Sequence, residues 1–378
     1  MANELVNPFP LVGYHGAAYF CDRETETANL ETSIQSGVNV TLVSLRRMGK
    51  TSLLYHIQAR RTRKKQPTII IDLQATTGLG SLTEALANSS VRALHGPGRK
   101  FMDGMREVAS RIGASVSVNA RGEASLVFAA QDRRVSMRDD LQRVMAMIEA
   151  HPLPVLVIMD EFQEIGGYAD DNAEGILRAV IQTMPRTRFI FSGSRKAMIE
   201  NMFSDHRRPF YASTRHMELG ALPDESYREF VREWFQSTRR TISDEAFALI
   251  RMITEGRTFH MQLVANRLWD VPGKSIDVER AQHTISDIVA EQSHLFIGFR
   301  SLLTTGQWSL LAAIARERRV AMPLAEAFRR EHALPAASSL KRALQALTER
   351  ELVYAYADGY GVEDPFFAQW LRTTFARP

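Results

Sequence analysis

Gly49-Lys50-Thr51 stands directly after the apolar, β-branched run Val38 to Leu45. It stands directly before a stretch that places Leu53, Leu54 and Ile57 on one helical face. A strand, a tight turn and a helix with these three residues at the junction form a phosphate cradle. Backbone N–H groups turn inward around the anion, and the helix N-terminus adds its partial positive charge. In that setting Lys50 reaches the phosphate oxygens as a mobile point charge, and the Thr51 hydroxyl is a ligand for Mg2+. The loop formed by Ser44, Leu45, Arg46, Arg47, Met48, Gly49, Lys50 and Thr51, running on into Ser52, follows the spacing Gly-x4-Gly-Lys-Ser/Thr, with Ser44 in place of the first glycine. That position ends the strand, where a small residue is tolerated. Gly49, where the backbone approaches phosphate most closely, is intact.

A cradle of this kind needs a carboxylate for the metal and a group to activate water. Val155 to Met159 is wholly apolar and runs into Asp160-Glu161. A carboxylate at the tip of a buried strand can hold the hydrated metal, a role that falls to Asp160. Glu161, one residue on, is placed to polarise a water attacking the terminal phosphate. A further strand ends in Ser192-Gly193-Ser194, and Ser192 or Ser194 can touch that phosphate or the water. Beyond it, Arg207, Arg208 and Arg215 are candidates to stabilise charge on a transferring phosphoryl group, in the site of a neighbouring subunit. Arg257, opening a later helix, is a candidate to lean over the nucleotide.

These residues require a particular scaffold. Strands over 38–45, 68–73, 155–159, 188–192 and 215–219 alternate with helices, and strands apolar on both faces indicate a parallel sheet covered on both sides. The piece at about 96–135 breaks the alternation. It carries Gly96-Pro97-Gly98 and a hairpin turning at Asn119 to Gly122, and reads as an insertion. From Pro223 onward helices dominate. Near the end, three short helices are followed by strands over 352–356 and 360–362, the winged-helix order. The expected fold class is therefore α/β: a P-loop domain over 1–222, a helical lid over 223–300 and a winged helix over 301–378.

Composition excludes several other classes. Apolar residues make up 45% and charged residues 24%, the balance of a globular protein. No apolar stretch approaches the ~18 residues needed to span a bilayer. The N-terminus lacks the pattern of a signal peptide, and Cys21 as the only cysteine permits no intrachain disulfide, so the expected compartment is the cytoplasm. A net charge of +4 tolerates a polyanionic partner without demanding one. The basic cluster Arg60, Arg61, Arg63, Lys64 and Lys65 reads as a solvated helix end. The scattered histidines, His206 and His216 included, match no metal spacing, and no serine-hydrolase elbow is present.

With these residues in hand, the chain resembles the archaeal-type ATPases, a P-loop family near the AAA+ and STAND ATPases. Asn7-Pro8-Phe9 with Phe20-Cys21-Asp22-Arg23-Glu24 is similar to the family's N-terminal segment, and Arg46-Arg47-Met48-Gly49-Lys50-Thr51-Ser52-Leu53-Leu54 to its phosphate loop. Asp160-Glu161-Phe162-Gln163 looks like its acidic strand end and Ser192-Gly193-Ser194 like its sensor strand. Arg208-Pro209-Phe210-Tyr211 resembles a segment of its bacterial members. Gly256 to Trp269 resembles a lid helix, with Arg257 and Thr258 at positions that often carry His and Pro. Asp364-Pro365-Phe366-Phe367 through Trp370-Leu371-Arg372 is similar to its closing motif. The resemblance implies ATP as the nucleotide, Mg2+ as its metal, and an N-terminal segment passing close to the adenine. It leaves three jobs open: a hydrolysing switch, a nucleotide-gated regulator binding double-stranded DNA through Ser338, Ser339, Lys341 and Arg342, or an assembly scaffold. Homo-oligomers would place an arginine of one chain at the next chain's site.

Overall fold

The computed structural model describes residues 6–95, 99–118, 124–128, 133–170, 172–356 and 358–375. The chain divides into two compact units, Gly13–Ala221 and Leu222–Pro378, the latter joined by the N-terminal segment Met1–Val12.

The first unit contains β1 (Val40–Ser44), β2 (Thr68–Asp72), β3 (Ser115–Val118), β4 (Ala124–Val127), β5 (Leu156–Asp160), β6 (Arg188–Gly193) and β7 (Arg215–Leu219). Five of these form one sheet in the order β2-β5-β6-β1-β7, and every pairing in it is parallel. β1 and β5 are buried at every position, which explains their continuous apolar sequences. Strand alternation then sorts side chains to the two faces. Val40, Leu42, Leu156, Ile158 and Ile190 pack with Leu30, Leu53 and Ile57 from the helices Glu24–Gln35 and Lys50–Arg63. Val43, Val157, Met159, Phe189 and Phe191 pack on the other side with Leu82, Leu141 and Leu177. The order places the C-terminal ends of β1, β5 and β6 side by side, and in open parallel sheets this is the edge that binds ligands.

The expected insertion comprises the helix Arg99–Ile112 and the antiparallel β3–β4 pair. Its break at 96–98 and its turn at 119–122 lie outside the described residues. One feature of the basic cluster departs from expectation. Arg61 is buried, and its Nε donates to Thr68 Oγ1 at 2.9 Å. It ties the P-loop helix to the start of β2 rather than facing solvent, whereas Arg60 pairs with Glu31 at 3.0 Å.

The second unit is helical from Asp224–Ser237 through Asp244–Thr254, Thr258–Asp270 and Val278–Glu291, with a two-residue pairing of β8 (Thr241–Ile242) and β9 (Ser275–Ile276). The segment before Gly13 is strapped to the helix Thr258–Asp270. Asn266 Nδ2 donates to the Phe9 carbonyl at 2.9 Å, Gln262 Nε2 to Pro10 at 3.1 Å and Trp269 Nε1 to Val6 at 3.0 Å. Phe9 is fully buried among Phe230, Phe235 and Trp269.

After the helix Ser293–Leu302, the helices Thr305–Glu317, Glu326–Glu331 and Ala337–Glu349 precede a hairpin of β10 (Val353–Tyr356) and β11 (Gly359–Val362). Thr304 and Gln307 make a capping box on the first of these, and Val320 makes an isolated antiparallel bridge to Tyr360. The closing motif anchors this wing. Asp364 Oδ1 caps the helix Pro365–Thr374 by accepting from Phe366 N at 2.9 Å and Phe367 N at 3.1 Å. Phe367 and Trp370 then pack against Phe296, with Trp370 also against Trp308.

Candidate functional site

β1 ends at Ser44, and the chain turns through Arg46, Arg47, Met48 and Gly49 into the helix Lys50–Arg63. Gly49 has φ +87°, a left-handed conformation that a side chain would strain. Arg46 and Arg47 are exposed and Met48 is buried. The loop is braced from behind by Arg23, a buried residue at the start of the helix Glu24–Gln35. Its guanidinium donates to the Met48 carbonyl at 3.2 Å, to the Gly220 carbonyl after β7 at 2.7 Å, and to Glu26 at 2.6 Å. Sequence reading placed Arg23 in a recognisable segment without this task.

β5 delivers Asp160 and Glu161 beside the loop. The Lys50 ammonium donates to Asp160 Oδ1 and lies 3.4 Å from Glu161 Oε1. Thr51 Oγ1 donates to Asp160 Oδ2 at 3.1 Å, and Ser192 Oγ from β6 donates to Asp160 Oδ1 at 2.6 Å. Lys50 is 5% and Asp160 6% exposed, so the pair is desolvated. Burial pushes the Asp160 carboxyl up. The Lys50 charge and the hydrogen bonds from Lys50, Ser192 and the Glu161 N–H outweigh it and hold the group below the usual carboxylate range. Asp160 is therefore ionised at neutral pH and offers only acceptor oxygens.

Glu161 sits at φ +52°, which turns its carboxylate back over the strand ends. Its Oε2 accepts from Gln163 Nε2 at 2.6 Å, from Ser194 Oγ at 2.8 Å and from Ser194 N at 3.2 Å. The buried Gln163 is a residue the sequence reading quoted but gave no role. Its proximity to Glu161, two positions on, was the available signal. Gln163 passes so close to Gly193 that a methyl group there would collide with its side-chain oxygen. Gly193→Ala is accordingly expected to lower any turnover that depends on Glu161 by about 10-fold or more while binding stays intact, since small misplacements of a reacting group are costly. Comparing kcat with nucleotide affinity checks this.

Magnesium fits this donor set. The Thr51 hydroxyl and an Asp160 carboxylate oxygen are hard ligands 3.1 Å apart, of the kind that binds this ion together with phosphate. The buried Ser44 Oγ has no hydrogen-bond partner among the described residues and would be free to donate to a phosphate.

The arginine candidates are engaged within their own chain. Arg208 pairs with Glu174, whose carboxyl is pushed up by burial against the pull of that guanidinium. Arg207 pairs with Asp205 at 2.8 Å, and Arg215 Nη1 donates to Ser33 Oγ at 3.2 Å. Arg257, expected over the nucleotide, is 1% exposed and belongs to a buried brace in the second unit. It donates to Glu363 Oε1 at 2.9 Å, to the Glu363 carbonyl at 2.9 Å and to the Tyr356 hydroxyl at 2.6 Å. The physical reason for the difference is the acidic partner: Glu363 in the wing neutralises the buried cation, which links helix to wing. Arg257→Ala leaves Glu363 without its cation and is expected to destabilise the second unit by about 3 kcal/mol, with nucleotide affinity unchanged. Denaturant unfolding beside a nucleotide titration distinguishes this brace from a nucleotide contact.

A turn and helix start at the end of a buried strand, with the carboxylate-tipped strand β5 one strand away across β6 in a parallel sheet, are features of the P-loop class. More particularly, the chain has the fold of an archaeal Walker-type ATPase with a C-terminal winged helix. A Walker-type ATPase of Pyrococcus abyssi superimposes with a TM-score of 0.67 over 97% of this chain and 99% of its own, at 18% identity. The ORC2 protein of Aeropyrum pernix, in ADPNP-ADP complexes, gives 0.53 at 14% identity, covering 94% and 95%. The ORC1 protein of that organism, in complex with DNA, gives 0.52 at 10% identity, covering 97% and 96%. The family described as a probable winged helix domain matches residues 294–373. No curated protein matches the sequence. Among the described residues no helix is long and apolar enough to cross a membrane.

Proposed function

We propose that this protein binds ATP with Mg2+ and hydrolyses it to ADP and phosphate, acting as a nucleotide-driven molecular switch. The observation that carries this reading is the convergence of Lys50, Thr51, Asp160 and Glu161 within hydrogen-bonding reach of one another at the ends of β1 and β5. With nucleotide present, Lys50 would exchange Asp160 for phosphate oxygens, and Thr51 and Asp160 would hold the metal. Magnesium, when bound, neutralises charge on the phosphate oxygens. Gln163 and Ser194 fix one oxygen of Glu161, and the other orients the attacking water and accepts its proton. Ser192 keeps Asp160 oriented. Arg208 acts on a neighbouring copy's nucleotide only by leaving Glu174, so it is not part of the resting site.

A second reading has its own support. Ser338, Ser339, Lys341 and Arg342 are all exposed on the helix Ala337–Glu349, opposite the buried Leu340, Leu344 and Leu347. Such a face suits contacts to DNA phosphates and base edges, and the ORC1 relative in fold is in complex with DNA. ATP turnover by purified protein, measured with and without duplex DNA and over a range of protein concentrations, tests both readings. Turnover independent of DNA and concentration supports a self-contained ATPase. Stimulation by duplex adds the winged helix as reader, and a rate per chain that rises with concentration adds assembly. No turnover under any condition overturns the hydrolytic reading.

A further inference from the structure

We propose that Glu317, Glu331 and His332 form a binding site for a divalent transition ion of the zinc class, separate from the nucleotide site. Glu317 is the last residue of the helix Thr305–Glu317. Glu331 is the last of the helix Glu326–Glu331, and His332 follows as its cap. One carboxylate oxygen from each glutamate and one imidazole nitrogen lie within 4.8 Å of one another.

The histidine separates this cluster from an ordinary group of surface acids. Its side chain is 6% exposed, and its Nε2 lies 3.3 Å from Glu317 Oε1 yet makes no hydrogen bond among the described residues. A buried ring nitrogen beside the Glu317 carboxylate, without a hydrogen bond among the described residues, is placed for a ligand. The ring is backed by Phe328, 4.6 Å away between centroids, which restrains its orientation.

The spacing suits a small ion. Metal–ligand distances of about 2.0–2.1 Å in a tetrahedron put neighbouring ligand atoms about 3.3 Å apart, which is the separation Nε2 and Glu317 Oε1 already have. Glu331 is exposed, and one of its carboxylate oxygens lies within 4.8 Å of the other two ligand atoms. The C-terminal end of the helix Thr305–Glu317 adds partial negative charge, which favours a cation. An imidazole among carboxylates selects zinc-like ions over magnesium and calcium, which prefer oxygen alone. Three protein ligands leave a fourth position for water. A bound ion would pin the ends of the first two helices of the winged unit together.

The test is a titration of the chelator-stripped, nucleotide-free full chain with Co2+, followed by its visible absorption, and then displacement by Zn2+. One Co2+ per chain with tetrahedral-type absorption is expected. Glu317→Gln and His332→Ala are each expected to weaken binding by at least about 10-fold, the lower end of what perturbing even outer-sphere partners of metal sites does. If His332→Ala fails to fold, Glu317→Gln at its exposed position carries the test alone. Absence of a Co2+ site in the wild type, or binding that a folded variant leaves unchanged, overturns the proposal. Neither result bears on ATP binding, which is measured separately.

Discussion

Lys50→Ala is expected to abolish detectable nucleotide binding, with affinity falling by about 10²–10⁴-fold. In the proposed complex the ammonium makes charge-assisted hydrogen bonds to two phosphate oxygens, each worth ~1.5–3 kcal/mol. A second effect is present before any nucleotide arrives. Lys50 is the strongest influence holding Asp160 ionised, and both groups are almost fully buried. Without the lysine, Asp160 either remains as an unpaired buried charge or takes up a proton, and breaking such a pair costs about 3–5 kcal/mol of stability. The double variant Lys50→Ala/Asp160→Asn separates the two effects. It should recover much of the lost stability, because no charge is stranded, and should still fail to bind nucleotide. Calorimetric titration with Mg2+–ATP and thermal unfolding of the single and double variants are the measurements. Recovery of binding in the double variant would show that Lys50 serves Asp160 and not the phosphate.

Glu161→Gln is expected to retain nucleotide affinity within a few-fold and to lose about 10²–10⁴-fold in turnover, the usual contribution of a positioned general base. The geometry makes the substitution clean. Glu161 Oε2 accepts from Gln163, Ser194 Oγ and Ser194 N, and the carbonyl oxygen of a glutamine can keep those contacts. The fold around the strand ends is thereby preserved while the group that accepts the proton is lost. Single-turnover kinetics beside a binding isotherm show whether the loss lies in chemistry. Equal turnover by wild type and variant removes Glu161 from its role.

The sheet and the turn that joins β1 to the helix Lys50–Arg63 were legible because both depend on local signals. β1, β2, β5 and β6 are short apolar runs between helical stretches, and Gly49-Lys50-Thr51 and Asp160-Glu161 fall at strand ends where only backbone geometry decides their placement. The convergence of Ser192 and Ser194 on Asp160 and Glu161 followed from their position at the tip of a strand. Less was visible where burial involves polar residues. The helix Glu24–Gln35 buries Thr27 and Ser33 beside Leu30 and Ile34, which blurs its apolar stripe, and sequence reading gave it no element. Arg61, read as a solvated helix end, is buried because Thr68 accepts its Nε–H.

Pairings far apart in the chain left no trace in the sequence. Arg257 finds Glu363 more than a hundred residues on, and no periodicity in either segment announces that partnership. The tethering of the segment around Asn7 to Phe9 was equally silent in the sequence. That segment is held by Gln262, Asn266 and Trp269 in the second unit, through hydrogen bonds to backbone carbonyls that any sequence could present. The Arg23 brace is of the same kind, since its acceptors are the carbonyls of Met48 and Gly220. Side chains that bond to backbone leave no complementary residue to recognise.

Occupancy of the loop between Ser44 and Thr51 by a nucleotide is what each of these roles requires. Its most direct measurement is equilibrium binding of ATP and of GTP to the purified wild-type chain in the presence of Mg2+. Saturable binding of one ATP per chain, tighter than GTP and weakened when Mg2+ is withdrawn, is the predicted result. A chain that is folded and shows no affinity for either triphosphate would contradict it.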